Sequence, residues 1–313
     1  LELLICGIMG LFETLQDLML KYHFRPDKQL SQFFCINEAL LQYLVNSSKM
    51  EKGDVVLEIG PGTGFLTKRL LAQAKKVDAK IIAFEVDELM IELLKEEFSE
   101  EISSGLFNLI NGNVLEQDME ALGINKIVSL PPYHISSDLL TKIGLTNGLK
   151  RVILVLDKGF SQKLLAFEGL TEYVALTVLI NLNAKLEVLE NVIEQSSFFP
   201  VPNCISTVIQ LDFDVKNNSI EFYTFLRELF RHKNKDLQRS LKQSFSFLSK
   251  KLSWKEKDFD TKIKSLKLAQ KKVYSLSPQE LLEVFNHMQG KGKESKTVVK
   301  KTVIKEKKIK EKK

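Results

Sequence analysis

Short apolar runs recur along the first two thirds of the chain, at 55–59, 81–84, 107–110, 126–130, 151–156, 186–193 and 205–213, with helical spacing between the early ones. Runs of this kind predict strands covered on both faces. Their alternation with helices predicts an α/β fold, a mostly parallel doubly wound sheet. Pro200 and Pro202 mark the loop between the last two runs. Residues 214–219 are polar and turn-rich, and beyond them the pattern changes. Apolar positions at helical spacing predict amphipathic helices over 222–230, 237–252, 258–268 and 278–288. Ser277 before Pro278, with Glu280 close behind, reads as the start of the last helix. A small helical domain is therefore expected after the sheet.

The first run breaks into glycines: Val55-Val56-Leu57-Glu58-Ile59-Gly60-Pro61-Gly62-Thr63-Gly64-Phe65-Leu66-Thr67. Without a Cβ, glycine permits the sharp strand-to-helix turn and lets a ligand lie close against the backbone. Dinucleotide sites use G-x-G-x-x-G, whereas here the spacing is G-x-G-x-G and Phe65 stands where the longer motif has its glycine. S-adenosylmethionine, which has no pyrophosphate, fits this turn better than NAD. The second run ends at Glu85, where a carboxylate at a strand tip can accept both ribose hydroxyls; the alternative is a solvated loop charge. In order, these signals predict a Rossmann-like class I methyltransferase domain.

Composition narrows the picture. The 313 residues suffice for one α/β domain and a smaller one, and the 44% apolar content is that of a folded protein. The three cysteines are widely spaced and the four histidines form no i, i+4 pair, so neither a disulfide framework nor a metal site is expected. The cysteine usage suggests a reducing compartment, and a cytoplasmic location is expected. The apolar stretch 3–12 is interrupted by glycines and too short to span a bilayer; it reads as a docking helix or a start-site artefact. Residues 291–313 hold 11 Lys and 3 Glu, a net of +8 against +5 for the whole chain, so the rest is net acidic. That tail is expected to be disordered, as a solubilising segment or a salt-sensitive attraction to phosphates.

After the fourth run comes Ser129-Leu130-Pro131-Pro132-Tyr133-His134-Ile135-Ser136. Methylation of an exocyclic amino group needs acceptors around its N–H hydrogens and an aromatic ring against the extruded base. A rigid Pro-Pro-Tyr at a strand tip offers free carbonyls and a fixed ring, although it also occurs in ordinary loops. In the helical part, Arg231, Lys233 and Lys235 in R-H-K-N-K, followed by Arg239 and Lys242, form a basic cluster. Such a cluster is often only a solvated face; beside a methyltransferase core, contact with an RNA backbone is the better reading.

With these motifs in this order, roughly residues 30–288 resemble the ribosomal RNA adenine N6-dimethyltransferase family, which dimethylates two neighbouring adenosines near the 3′ end of small-subunit rRNA. The resemblance is strongest in the glycine turn, in Phe198-Phe199-Pro200-Val201-Pro202 with Ser206, in Leu229-Phe230-Arg231-His232-Lys233-Asn234-Lys235, and in Leu276-Ser277-Pro278. It implies that Gly60 and Gly62 line the methionine part of the cofactor and that Glu85 holds the ribose. It also implies that Phe33 and Cys35, in the segment matching a lid over the cofactor, contact it, and that Phe198 is a second stacking surface. The chain departs from the family at several points. Asn113 replaces an aspartate that reads the adenine, and the lid segment Gln32-Phe33-Phe34-Cys35 lacks its asparagine. Leu130 falls on the motif asparagine that accepts from the target amine, and Asp157-Lys158-Gly159 replaces a Q-x-E segment. An inserted proline would instead give the acceptor role to Ser129.

The expected organisation is an N-terminal extension (1–31), a methyltransferase domain (32–213), a helical RNA-binding domain (214–289) and the lysine-rich tail (290–313). The expected activity is S-adenosylmethionine-dependent adenosine dimethylation by a monomer acting on small-subunit rRNA or a pre-ribosomal particle, with neither membrane nor metal. Leu130, Pro131, Pro132 and Tyr133 would form the target side. The alternative is a weak or inactive relative serving as an RNA-binding assembly factor. A small-molecule or protein methyltransferase, or an NAD oxidoreductase, fits the spacing and the basic second domain less well.

Overall fold

The computed structural model describes residues 10–27, 30–214 and 219–290. Most of the apolar stretch at 3–12, and the lysine-rich tail apart from Gly290, lie outside them. The chain divides into two compact units, one of residues 1–158 and 188–212, the other of 159–187 and 213–313. This division differs from an expected single boundary at 213/214. The segment between the fifth and sixth long strands joins the helical unit, because its central helix is buried within that unit.

The first unit opens with α1 (Leu11–Lys21), whose Leu15 is fully buried and whose Leu11, Leu18 and Met19 pack on the same core. The expected extension 1–31 is thus partly integral to the unit. Next come β1 (Phe34–Cys35) and α2 (Glu38–Ser47), whose N-cap Asn37 accepts from Leu40 N. The sheet then begins with β2 (Val55–Ile59), α3 (Phe65–Val77), β3 (Lys80–Glu85), α4 (Glu88–Glu97), α5 (Ser99–Ser103), β4 (Phe107–Asn111) and β5 (Lys126–Ser129). It continues with α6 (Ser136–Leu145), β6 (Arg151–Asp157) and, further along the chain, β7 (Ala184–Ile193), β8 (Phe198–Phe199) and β9 (Ser206–Phe213). Each of the seven predicted apolar runs forms a strand of this sheet, which is ordered β4-β3-β2-β5-β6-β9-β7.

β2, β3, β4, β5 and β6 run parallel, and β9 is antiparallel to β6 with Arg151 opposite Asp212 and Asp157 opposite Ser206. The runs are continuous because helices cover both faces: Val152 to Leu156 are all fully buried. The strand order reverses at β2, with β3 on one side and β5 on the other. That leaves a crevice beyond their carboxyl ends, where α/β sheets bind ligands. β1 and β8 form a separate antiparallel pair, Phe34 opposite Phe199 and Cys35 opposite Phe198.

The second unit holds α7 (Lys158–Leu164, starting at the boundary), α8 (Ala175–Asn183), α9 (Ile220–Phe230), α10 (Leu237–Leu252), α11 (Glu256–Lys264) and α12 (Pro278–Gln289). α8 is buried along almost its whole length and packs on α9 and α12. Phe222, Phe225, Trp254 and Phe285 fill the space between helices, with ring centroids 5.2 to 6.3 Å apart. Ser277 and Glu280 form the expected capping box at the start of α12. α11 ends at Lys264, short of the expected 268, for a clear reason. The carbonyls of Ala269 and Lys271 accept from Gln238 N and Leu237 N at the start of α10, which requires a turn rather than a helix there.

Candidate active site

The crevice is an open cleft of about 710 Å³ including its solvent-filled mouth. It is lined by the glycine turn after β2, the end of β3, segment 30–35 and the start of the Leu130 loop. Gly60, Gly62 and Gly64 all have positive φ, yet they serve different ends. A Cβ on Gly62 would stand 3.0 Å from the Phe34 ring, and one on Gly60 would stand 3.4 Å from Pro132, so both open the cleft. A Cβ on Gly64 would lie 2.6 Å from Phe98 and 2.9 Å from Leu94; this glycine lets α3 close onto α4.

Glu85 is 6% exposed and accepts from three backbone amides: Val86 N (2.8 Å) and Asp87 N (3.0 Å) at one oxygen, Gly62 N (3.1 Å) at the other. Burial raises its pKa, opposed by those three N–H donors. The carboxylate thus ties the glycine turn to the end of β3 and keeps lone-pair capacity toward the cleft. Val86 beside it is 53% exposed and lines the same cleft, an apolar shelf that sequence reasoning missed.

Glu58 is a second functional residue missed by sequence reasoning. It is 2% exposed, lines the cleft and accepts from Thr67 Oγ1 at 2.7 Å. Burial pushes its pKa up to about 8, and the neighbouring Glu85 adds to the rise. A lone carboxylate inside an otherwise apolar strand was the signal available. A buried acceptor at Glu85 beside a glycine cradle suits ribose hydroxyls, while Glu58, with its raised pKa, brings no second negative charge to the cleft. The residues present therefore fit S-adenosylmethionine: the cradle is open because a Cβ would fill it, and Glu85 can accept from a ribose.

Segment 30–35 reaches across the cleft. Gln32 Nε2 donates to Asp87 Oδ2 (2.6 Å), while Ser31 Oγ and His134 Nδ1 lie 3.0 Å apart. Phe33 stacks on Tyr133 with ring centroids 6.3 Å apart and planes 23° from parallel. Cys35 lines the cleft, and burial pushes its thiol up to about 11, so it stays neutral.

On the opposite wall, Leu130 and Pro132 line the cleft, and Pro131 between them in sequence is buried. Tyr133 and Ser206 share a hydrogen bond of 2.5 Å between Tyr133 Oη and Ser206 Oγ. Burial pushes the phenol up to about 12, so the ring is neutral. Ser129 cannot supply the missing acceptor. It is fully buried, its hydroxyl donating to Ile59 O (2.7 Å) and accepting from Ile59 N (3.2 Å). Among the described residues no protein donor is spent on the carbonyls of Leu130 or Pro131.

Three expected site residues stand elsewhere. Asn113 does not line this cleft: its Oδ1 accepts from Leu115 N (3.0 Å) and its Nδ2 faces Glu116 (3.3 Å), capping a helical turn. Phe198 is 2% exposed in the core beside Cys35, so its ring offers no free face to a base. Phe33 is the aromatic ring that stacks on Tyr133 instead. In the helical unit, Lys233 Nζ donates to Thr171 O (2.6 Å) and Tyr173 O (3.3 Å), fastening a loop rather than facing solvent freely. Arg231 pairs with Glu228, Arg239 with Asp236, and Lys235 donates to Gln243. Arg231, Lys235 and Arg239 remain exposed, so weak surface pairs of this kind do not remove them from contact with a phosphate.

Among the described residues there is no cluster able to hold a metal ion and no helix long and apolar enough to cross a membrane. The ribosomal RNA adenine dimethylase family profile matches residues 23–289. A probable ribosomal RNA small subunit methyltransferase A from Methanopyrus kandleri is 34% identical over 73% of this chain and 81% of its own length. A protein of the same description from Thermococcus onnurineus is 34% identical over 87% of this chain and 96% of its own. Among solved structures, a dimethyladenosine transferase from Plasmodium falciparum superposes with a TM-score of 0.66 at 23% identity, covering 82% of this chain and 98% of that one. The 23S rRNA methyltransferase ErmE superposes with a TM-score of 0.55 at 18% identity, covering 82% and 99%. At these identities the structural likeness speaks to the fold.

Proposed function

The chain belongs to the ribosomal RNA adenine dimethylase family, and on that premise we propose that it dimethylates N6 of adenosines near the 3′ end of small-subunit rRNA, at a rate lowered by its altered target wall. The observation that supports this reading is a glycine turn tied to Glu85, open to a cofactor, across the cleft from a wall that retains backbone acceptors and a fixed ring. S-adenosylmethionine, when bound, supplies an electrophilic methyl group. Gly60 and Gly62 would admit its methionine part against the backbone, Glu85 would accept from the ribose, and exposed Val86 would offer its base an apolar surface. Across the cleft, the carbonyls of Leu130 and Pro131 accept from the target amine. That draws its lone pair out of the ring and toward the methyl group. Tyr133 and Phe33 are the rings that receive the extruded base.

One preorganised polar group is absent at Leu130, and losses of that kind typically cost about 10² to 10³ in rate. The engagement of Ser129 and Asn113 in backbone hydrogen bonds favours a second reading: a family member kept for RNA binding during subunit assembly, with little turnover. Incubation with unmethylated small subunits and methyl-labelled S-adenosylmethionine separates the two. Label in N6,N6-dimethyladenosine supports the enzyme. Tight binding to the subunit with no label supports the assembly factor, and the absence of both label and binding would refute both.

A further inference from the structure

Of the two rings stacked at the target wall, one is held fast and the other is not. Tyr133 Oη shares its 2.5 Å hydrogen bond with Ser206 Oγ, Tyr133 O accepts from Ser136 Oγ at 2.8 Å, and Ile135 N closes a tight turn onto Pro132 O. Phe33 is apolar, has no such anchor and lies in a stretch without regular structure. The backbone on either side of it is nevertheless fixed. Gln32 N donates to Asp27 O (3.0 Å), Gln32 Nε2 donates to Asp87 Oδ2 beyond the end of β3, and Phe34 pairs with Phe199 of β8. Ser31 Oγ and His134 Nδ1, 3.0 Å apart, keep the segment beside the target loop. With its backbone pinned, Phe33 can leave Tyr133 by changing rotamer.

The gap between the two rings is too small for a base. A purine stacked between two rings needs about 6.8 Å, twice the stacking distance of about 3.4 Å. The centroids are 6.3 Å apart with planes 23° from parallel, so at any lateral offset the opening at the ring centres is no wider than 6.3 Å. The pair can therefore receive a base only by parting, and Tyr133 is the ring that stays. We propose that Phe33 is a gate on the target-base site: its ring holds the face of Tyr133 that a purine takes during methyl transfer, and it yields that face by a change of rotamer. This rests on the adenosine reading above for the identity of the base. Phe33 also lines the cofactor cleft together with Gln32 and Cys35, so the side chain that gives way to the base is part of the cofactor's wall. An entering base has to break an aromatic pair before it gains its own stacking, and that cost falls on its affinity.

The test uses the full chain carrying 3-fluorotyrosine, with S-adenosylhomocysteine saturating the cofactor cleft and Tyr133→Phe assigning the Tyr133 fluorine signal. Adenosine 5′-monophosphate is the base probe, titrated into the wild type, Phe33→Ala, Phe33→Leu and Phe33→Tyr, with melting curves verifying the fold of each. Truncating a ring that merely stacks on the base weakens binding, whereas truncating a gate strengthens it. Affinity should rise about 2- to 10-fold in the Ala and Leu variants, while Phe33→Tyr, which keeps the ring, should stay within about twofold of the wild type. Equal or weaker binding in the Ala variant would overturn the proposal, as would a Tyr133 signal that the nucleotide moves in none of the proteins. Methyl transfer to unmethylated small subunits is measured alongside. Where the wild type transfers, KM for the subunit should fall in Phe33→Ala by the same factor; transfer without that gain would remove the gate and leave the enzyme. Tighter nucleotide binding in Phe33→Ala with no transfer by the wild type would sink the enzymatic reading and leave the gate standing.

Discussion

Replacing Leu130 by Asn puts back the one side chain whose chemistry the target wall lacks. Leu130 is half-buried at the cleft wall and packs against the core of the first unit. Asn is close to it in shape, so the substitution should fit. Exchanging a partly buried isobutyl group for an amide costs about 1–2 kcal/mol of stability, a drop of a few degrees in Tm for a unit of this size. Against that, a preorganised acceptor at the amine is worth about 3–4 kcal/mol in the transition state, or 10² to 10³ in rate. Ser129, locked to both backbone groups of Ile59, fixes the direction in which the chain leaves β5, so the new amide is held rather than floating. Single-turnover methyl transfer to unmethylated small subunits at saturating S-adenosylmethionine measures the gain, with Leu130→Ala as the control that adds no acceptor. An Asn variant that folds, binds the cofactor as the wild type does and shows no gain over Leu or Ala would refute the reasoning. The loss would then lie elsewhere than in this one acceptor.

Glu58, with its pKa near 8 in the fold against about 4.5 unfolded, holds a proton that the unfolded chain releases. Its contribution is therefore full below about pH 4.5 and declines as pH rises toward 8, by at most roughly 3–5 kcal/mol. Glu58→Gln should flatten that decline in denaturant melts at pH 5, 6.5 and 8; parallel curves for the two proteins would count against the assignment. Gly62→Ala places a Cβ 3.0 Å from Phe34 at a φ of +55°, and should cost about 1–3 kcal/mol and at least tenfold in cofactor affinity by calorimetry. Gly123→Ala, at a φ of +68° with nothing within 4 Å, bears only the backbone penalty and should leave cofactor affinity alone. Lys233→Met removes two charged hydrogen bonds to the 171–173 loop and should destabilise the helical unit by about 1–3 kcal/mol. A variant with unchanged melting but a shallower salt dependence of RNA binding would show that Lys233 serves the RNA instead.

Much of this protein is written locally. The seven apolar runs became the seven strands of the sheet; in the central parallel strands, covered on both faces, no alternation is needed and the run itself is the signal. The glycine turn, Glu85 at its strand tip and the Ser277–Glu280 capping box were legible for the same reason: each depends on residues a few positions apart. α8 was not legible, since a helix buried on every face has no periodicity to read, and only packing against α9 and α12 assigns 159–187 to the helical unit. The fates of single polar and aromatic side chains were also decided by tertiary structure. Ser129 is consumed by Ile59, 70 residues away, and Lys233 by carbonyls 60 and 62 residues away. Phe198 is hidden by pairing with Cys35, and Phe33 is carried to Tyr133 by a segment 100 residues upstream. A hydrogen bond or a ring face is satisfied by whatever the fold brings near it. Sequence spacing therefore determined the elements and the kind of site, while distant contacts determined which of its residues are free to act.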